Sequence, residues 1–410
     1  MTEPRPEPAG DRVSLQYRPR SIWYVVLFAL FVRMLFAFVT PAWQSADEYP
    51  HFWYAQELSR TLRFPAVSST FPGYEAFQPP LYYGIAAALL RISPAGPPFS
   101  LDVIEPPTGA LLVLRFLSVA FGVLATWLTY LAARAIPAMP ERARIVAALF
   151  TAALPTYVGT TSSVNNDGLA VLLGTACIAS MLRFDARPRA ALLTGFLAGF
   201  AYLTKANAIV LLPLIFLWKV MGTRSWKGAA FGCVLATAGW LPGFLLVVLK
   251  NLSLTGSAIV LNTQVPFEWN VSIASVVWSL RNLGWSFWLA FGRIYGITPP
   301  PVIYLVTAGS LTIAAVIGWW KSWRELRETG IILGAGIVLV VIASLYYTLT
   351  HPAGSITSWG KNLYCVLPFF SIGFAFGWEK AFRSGKAISI AGISLMIIGC
   401  GWAAYRLTTL

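Results

Sequence analysis

The 410-residue sequence has little charge: Asp, Glu, Lys and Arg make up 11% of it, whereas soluble globular domains carry about 25%. With 57% hydrophobic residues, such a chain cannot hide its apolar surface in a water-soluble fold. The cysteines are also few, and each lies in an apolar run without metal-ligand spacing: Cys177, Cys233, Cys365 and Cys400. The sequence has no phosphate-binding glycine loop, Ser-His-Asp arrangement or His/Cys zinc spacing, so nucleotide-driven and hydrolytic chemistry are not supported.

Apolar runs occupy most of the chain. At about twenty residues per span, the sequence predicts about eleven transmembrane helices, near 21–40, 109–135, 143–161, 168–183, 190–204, 207–221, 228–249, 301–319, 330–349, 362–378 and 387–405. A further stretch, 271–292, is expected to form a re-entrant or interfacial helix. The 17 Trp and 16 Tyr suit the aromatic belts of membrane interfaces. We therefore predict an all-α fold, a polytopic transmembrane helical bundle.

The basic residues indicate how the bundle is oriented. The net charge is +14, yet 19 of the 30 Lys and Arg fall in the tail and in mostly short loops on one side of the predicted spans. By the positive-inside rule that side is cytoplasmic, which predicts N-in and C-out, and no nucleic-acid partner is expected. Residues 1–20 are predicted to be a disordered cytoplasmic tail and 21–410 a single transmembrane domain. Its long outer loops are 41–108, with amphipathic helices, and 250–300.

The first outer loop contains a compact group of ionisable residues. Asp47 and Glu48 are adjacent, and one helical turn would place Asp47 and His51 on the same face. Two acids and an imidazole can form a general base or part of a metal site. The alternative is that both acids only favour the start of a helix. Further along, Gln78 precedes two prolines and either forms a structural turn or faces the same site.

Other polar residues are predicted on the same outer side. Asn165, Asn166 and Asp167 stand together at a helix start, where capping would explain only one of them. The outer cations Lys205, Arg293 and Lys361 either snorkel to the interface or contact a phosphate. Acids suited to a base role and cations suited to an anion are therefore expected to converge on one cavity.

Several motifs together resemble a known group of membrane proteins. They are W-Q-x-x-D-E-x-x-H from Trp43, Q-P-P-L-Y-Y from Gln78, Leu114-Arg115-Phe116, Leu154-Pro155 followed by Ser163, Asn165 and Asp167, L-T-K ending at Lys205, S-F-W-x-x-F-G from Ser286 and G-K-x-L-x-x-x-L-P from Gly360. This order resembles a bacterial family of unknown function within the C-type glycosyltransferase (GT-C) superfamily. Protein O-mannosyltransferases and aminoarabinose transferases are more distantly similar.

The resemblance implies a bacterial inner-membrane enzyme whose active site faces the periplasm or exterior. It would transfer a sugar, with inversion, from a polyprenyl-phosphate donor to a hydroxyl of an envelope glycan, lipid or protein. Asp47 would be the base, with Glu48 as the other candidate, and Lys205 and Lys361 would contact phosphate. Asp47, Glu48 and His51 are candidate ligands for a divalent metal ion. The late motif commonly reads G-R-Y-L, but here Lys361 stands in place of the arginine and offers a point charge instead of a bidentate fork.

Two other functions use the same helices. A transporter or lipid-linked-sugar flippase would place functional charges such as Arg33 and Arg115 within the membrane. A non-catalytic envelope-assembly partner would tolerate replacement of Asp47. The one-sided distribution of polar residues favours the enzyme.

Overall fold

The computed structural model describes residues 20–94, 108–183, 188–223, 225–260, 267–290, 300–351, 359–382 and 385–408. Most of these residues are helical, and no β-strand occurs among them, so the predicted all-α fold is confirmed. The α-helices are α1 (Ser21–Val39), α2 (Glu48–Thr61), α3 (Leu81–Ile92), α4 (Thr108–Arg134), α5 (Glu141–Ala153), α6 (Pro155–Thr160), α7 (Asp167–Arg183), α8 (Pro188–Tyr202), α9 (Leu211–Gly222), α10 (Trp226–Thr255), α11 (Ile273–Trp288), α12 (Val302–Lys321), α13 (Trp323–Thr350), α14 (Leu367–Ala381) and α15 (Gly385–Thr408). Short 3₁₀ helices cover Gly73–Phe77, Ala206–Val210 and Gly360–Val366.

Each predicted span coincides with helical structure. Within the described ranges, α1, α4, α10, α12, α13 and α15 are long and apolar enough to cross a membrane by length and composition. The remaining predicted spans correspond to shorter helices. The expected amphipathic helices of the first outer loop are α2 and α3, and α11 forms where an interfacial helix was expected. The chain is a multi-pass membrane protein. Residues 1–19 of the predicted N-terminal tail lie outside the described residues, and so does Arg293.

Three predicted spans are interrupted where they approach the same end of the bundle. The span at 143–161 divides into α5 and α6 at Pro155, because the residue before a proline is biased away from helical angles, and Leu154 is extended with ψ 112°. The spans at 207–221 and 362–378 begin with 3₁₀ helices. Non-helical backbone at membrane depth is tolerated where it is buried in protein or lines a cavity, so these breaks point to a site.

Two groups of contacts identify the ends of the bundle. Thr40, Thr160 and Leu407, from the C-terminal ends of α1, α6 and α15, line one pocket. We call this the site end. At the opposite end, Arg142 pairs with Glu379, and Lys380 Nζ lies 2.6 Å from Glu325 Oε2. The helices therefore run antiparallel in sequence order, as alternating spans must.

Small residues bring α8 and α10 into direct backbone contact. A Cβ atom on Gly195 would lie 2.0 Å from the Ala236 carbonyl oxygen, and one on Gly243 would lie 2.2 Å from that of Gly199. Helices in membranes pack closely in this way because lipid provides no hydrophobic drive for association, leaving van der Waals contact as the main attraction. This packing holds the helix that ends near Lys205 against α10.

We expect Gly195→Val to destabilise the protein by about 1–3 kcal/mol or more, because the new side chain must separate two packed backbones. Thermal unfolding in detergent measures the loss. Gly84→Ala in α3 is the control, since no heavy atom lies within 4 Å of its added Cβ; it should stabilise by about 0.5–1 kcal/mol, as removing a helical glycine does. Equal melting temperatures for Gly195→Val and the wild type would contradict the close packing.

Candidate active site

Asp47 occupies the N-cap position of α2 but does not act as a helix cap. Its φ of 61° is left-handed, and its side chain makes no capping hydrogen bond. Instead the Tyr74 hydroxyl donates to Oδ1 at 3.1 Å, and Lys361 Nζ donates to Oδ2 at 3.4 Å. A non-glycine residue in this region is strained, and such strain concentrates at functional sites. The strained backbone directs the carboxylate away from α2 and towards Lys361.

The neighbouring Glu48 has a different environment. Its carboxylate is fully buried and accepts hydrogen bonds from Arg115 Nε at 2.8 Å and Arg115 Nη2 at 2.7 Å. The backbone amides of Trp43 and Val164 each donate to it at 3.1 Å. Arg115 Nη1 also donates to the Ala37 and Thr40 carbonyls at 2.9 and 2.7 Å. Because both oxygens are occupied, this acid joins α1, α4 and the first loop and holds Asp47 in place.

The three polar residues at the start of α7 each contact different partners. Asn165 Oδ1 accepts from the Asp167 amide at 2.9 Å, which closes a turn just before α7. Asn166 Nδ2 donates to Gln78 Oε1 at 3.2 Å and to the Thr204 carbonyl at 3.0 Å. The Asp167 side chain pairs with Lys205 and has Lys361 Nζ at 3.8 Å from its Oδ2.

The acids and lysines form one continuous cluster at the site end. Lys361 lies between Asp47 and Asp167, and Lys205 lies on the other side of Asp167. Burial alone would lower the pKa of Lys361, but the nearby carboxylates, led by Asp47 and Asp167, outweigh it and raise that pKa. Lys361 therefore stays positively charged at neutral pH. The negative charges of the Asp47 and Asp167 carboxylates are therefore balanced by the positive charges of the Lys205 and Lys361 ammonium groups.

His51 is buried beside this cluster. Its Nδ1 lies 2.6 Å from the Tyr83 hydroxyl, and only 3% of the residue is exposed. Burial lowers the pKa of His51 to about 3, so its ring is neutral at physiological pH and can form hydrogen bonds without adding charge. Within the described ranges, no three His, Cys, Asp or Glu side chains are grouped to hold a metal ion.

The backbone of Gln78 is held by a lysine from α10. Lys250, near the end of α10, donates through Nζ to the carbonyls of Ala76 and Gln78, each at 2.7 Å. The Gln78 side chain remains directed at Asn166. Tyr74 and Lys250 were not predicted as site residues. A lone lysine at the end of an apolar run was the sequence signal for Lys250, but its partners are distant in sequence.

Glu75 is a third acid near Asp47, also missed in the sequence. It is 8% exposed, and its Oε2 atom has no hydrogen-bond partner in the described structure. Burial, together with the charge of Asp47, raises the pKa of Glu75 to about 7, although a hydrogen bond with Gln78 and the nearby lysines act against the rise. Glu75 therefore changes charge near neutral pH.

Because the pKa of Glu75 is raised in the folded state, the protein is expected to become less stable as the pH rises. The contribution of protonated Glu75 to the free energy of unfolding is fully present below about pH 4.5, its ordinary pKa, and is lost as the pH rises through about 7. We expect Glu75→Gln to raise the melting temperature by a few degrees (about 2–4 °C) at high pH and by much less at low pH. Melting curves across this range test it, with the surface variant Glu57→Gln as control. Parallel curves for wild type and Glu75→Gln would rule out the titration.

An open pocket gives access to the cluster. Its lining includes Gln44, Ser45, Asn165, Trp359 and Lys361. The Lys361 side chain is 14% exposed and the Asp47 side chain 15% exposed, so both can meet a ligand that enters from the site end. Of the residues predicted for the site, Asp47, Asp167, Lys205 and Lys361 form the charged cluster. Glu48, His51, Gln78 and Asn165 surround it.

Part of the sequence and the overall fold are similar to those of known proteins. Residues 109–249 match the family model of dolichyl-phosphate-mannose-protein mannosyltransferases. No curated protein sequence matches the chain significantly. Among solved structures, the chain resembles ArnT from Cupriavidus metallidurans bound to undecaprenyl phosphate, with 16% identity and a TM-score of 0.58 over 91% of this chain and 62% of that one.

Two further structures share the fold. The Archaeoglobus fulgidus oligosaccharyltransferase has 13% identity and a TM-score of 0.60, over 93% of this chain and 56% of that one; it has also been solved with Zn and sulfate. The mycobacterial arabinofuranosyltransferase AftD has 14% identity and a TM-score of 0.57, over 96% of this chain and 28% of that one. The chain thus spans less than two thirds of the length of these proteins.

The chain is a multi-pass helical membrane protein with an acid and lysine cluster at one end of its bundle. Its helical fold is similar to those of ArnT and the oligosaccharyltransferase, and part of its sequence, residues 109–249, matches the mannosyltransferase family model.

Proposed function

We propose that the protein transfers a sugar from a polyprenyl-phosphate carrier to an acceptor hydroxyl. The observation that carries this proposal is the partly exposed Asp47 carboxylate, held by Lys361 beside an open pocket and connected through Asp167 to Lys205. A carboxylate can accept the proton of an attacking hydroxyl, and ammonium groups stabilise a departing phosphate. The bound undecaprenyl phosphate of ArnT supports a lipid phosphate as donor.

The reaction follows from these positions. The acceptor oxygen attacks the anomeric carbon while its proton passes to Asp47. The bond between that carbon and the phosphate oxygen breaks, and polyprenyl phosphate leaves with the electron pair. Lys361 and Lys205 balance the charge that develops on it. Attack on the face opposite the leaving phosphate inverts the anomeric configuration.

The remaining site residues position this group. Glu48 fixes the start of α2 through Arg115, Asn165 holds the turn before α7, and Gln78 with Asn166 joins the first loop to that helix. Neutral His51 supports Tyr83 in the wall beside Asp47. These residues keep the carboxylate and the lysines within reach of one substrate, which is how a preorganised site lowers a barrier.

A divalent metal does not fit this arrangement well. Asp47 and Asp167 are the carboxylates that would bind one, but Lys361 Nζ already lies between them at 3.4 and 3.8 Å. Glu48 is occupied by Arg115, and His51 by Tyr83. We therefore assign no step to a metal ion.

The site is proposed to face the exterior of the bacterial plasma membrane. Lys and Arg recur in the short connections at the opposite end, including Arg142, Lys321 and Lys380, and the positive-inside rule places that end in the cytoplasm. The acceptor is then an envelope glycan, lipid or protein. Cysteine accessibility at each end in intact cells would test the orientation.

The contacts of the intramembrane arginines do not support a transporter function. Arg33 donates to Thr161 Oγ1 at 2.9 Å and to the Ala152 and Thr151 carbonyls at 3.0 and 3.1 Å. Arg115 is similarly engaged with Glu48. Both side chains are buried in helix contacts, so they stabilise the bundle instead of lining a path.

The direct test uses purified protein in lipid vesicles with a panel of defined polyprenyl-phosphate sugars carrying a radioactive sugar. Envelope lipids, glycans and membrane proteins serve as acceptors. We expect one donor to be consumed, with label in an acceptor and free polyprenyl phosphate as the second product. If label crosses the vesicle membrane without any covalent transfer, or if no donor is consumed or bound, the proposal is wrong.

A further inference from the structure

Lys361 lies where an oxygen-ligated metal ion would normally be found. Its Nζ is 3.4 Å from Asp47 Oδ2 and 3.8 Å from Asp167 Oδ2. These acids come from different parts of the chain, the start of α2 and the start of α7. Two carboxylates that converge from separate elements around one cation form the usual core of a Mg²⁺ or Mn²⁺ site. Here the cation belongs to the protein.

The backbone around Lys361 is fixed on both sides. The Gly360 amide donates to Ser286 Oγ at 2.8 Å, and a Cβ on Gly360 would lie 2.1 Å from the Phe287 amide nitrogen. On the other side, Asn207 Nδ2 donates to the Asn362 carbonyl at 2.8 Å. Lys361 is therefore presented by a backbone that is packed against α11 and joined to the turn after α8. Its position is part of the fold, unlike that of a mobile surface lysine.

The charge balance depends on this lysine. With Lys361 present, Asp47 and Asp167 share two ammonium groups, the second from Lys205. Without it, one ammonium faces two carboxylates, and the buried acid Glu75 lies close enough to Asp47 for that charge to raise its pKa. Removal of the Lys361 ammonium would leave an excess of negative charge beside the open pocket. A hydrated divalent cation satisfies that arrangement, because Mn²⁺ and Mg²⁺ bind through one or two carboxylates and keep several waters.

We propose that Lys361 takes the place of a divalent metal ion, bridging Asp47 and Asp167 and presenting positive charge to the pocket, so that the site works without a metal. The role of Lys361 towards the donor phosphate rests on the proposed function, whereas its position between the two carboxylates does not. A metal in this position would hold the two carboxylates together and face the phosphate; the lysine does both. The candidate ligand set predicted from the sequence does not assemble, because Glu48 is paired with Arg115 and His51 is hydrogen-bonded to Tyr83.

The test is Mn²⁺ binding by the full-length protein in detergent, followed by electron paramagnetic resonance and calorimetry. We expect wild type to show no Mn²⁺ binding that depends on Asp47. Lys361→Ala should gain about one site, with affinity raised about tenfold or more over any background, and Lys361→Ala with Asp47→Asn should lose it. Lys361→Arg keeps a cation and should resemble wild type. Lys321→Ala, at the opposite end of the bundle, is the matched control.

Gel filtration and melting curves establish whether each variant is folded, and Lys361→Met, which keeps the alkyl stem, replaces the alanine variant if that one unfolds. Asp47-dependent Mn²⁺ binding to the wild type would overturn the proposal, and so would a folded Lys361→Ala or Lys361→Met variant that gains no site. A separate arm measures transfer after chelation, where wild-type activity should be unchanged. Absence of any transfer activity would count against the proposed function and leave the Mn²⁺ result to decide the cation site.

Discussion

Replacing Asp47 with asparagine is expected to reduce sugar transfer by about 10²–10⁴-fold, the usual contribution of a general base. Asparagine keeps the size of the side chain and can still accept the hydrogen bond from Tyr74, but it cannot take the proton of the acceptor hydroxyl. Initial rates with saturating donor and acceptor measure the loss. Donor binding should change much less, because Lys205 and Lys361, which we propose to contact the phosphate, remain.

Glu57→Gln is the matched control for this experiment. Glu57 is in α2, the helix that begins directly after Asp47, but its partner is the exposed Arg60 at 3.5 Å. We expect full activity from it, and a melting temperature for Asp47→Asn within a few degrees of wild type. Full transfer activity in folded Asp47→Asn would exclude Asp47 as the base. It would also favour a non-catalytic role for the protein.

Replacing Arg115 with methionine is expected to have the largest effect on stability. The change leaves the fully buried Glu48 carboxylate without its cation and removes the donors to the Ala37 and Thr40 carbonyls. Removing one partner of a buried ion pair costs about 3–5 kcal/mol, because the other charge stays buried without compensation. For many membrane proteins a loss of that size prevents purification. Folded yield and thermal unfolding in detergent measure it.

The double variant Arg115→Met with Glu48→Gln separates charge from packing. Removing both charges should recover part of the stability, since replacing a buried pair with neutral groups is often tolerated. Arg60→Met breaks the exposed pair with Glu57 and should cost less than about 1 kcal/mol. If Arg115→Met is as stable as Arg60→Met, the ion pair does not hold the first loop in place.

The helices were predictable because hydropathy is a local property. A run of about twenty apolar residues must be helical in a bilayer, where backbone groups have no water to bind. The breaks at Ala206–Val210 and Gly360–Val366 were not predictable in this way. Both depend on contacts with other elements, such as the hydrogen bond from Asn207 to the Asn362 carbonyl. Hydropathy gives no information about such contacts.

The sequence predicted which charged residues lie near one another but not their individual contacts, and their roles in a site stay a prediction. The positive-inside rule placed Asp47, Asp167, Lys205 and Lys361 on one side, and the structure brings these residues together. Asn165 holds the turn before α7 through its bond with the Asp167 amide. Glu75, by contrast, carried no signal, because its raised pKa comes from burial that only the packed loop creates.

Asp47 and Glu48 show most clearly what local sequence can and cannot decide. Composition and hydropathy place two adjacent acids at a membrane surface, and nothing local distinguishes them. The tertiary structure does: Asp47 has a left-handed backbone and its carboxylate meets Lys361, while the next residue points inward to Arg115, 67 positions along the chain. Hydrophobicity acts residue by residue, so the sequence alone determines that the chain spans a membrane. The partner of each charge depends on distances that exist only after the helices have packed.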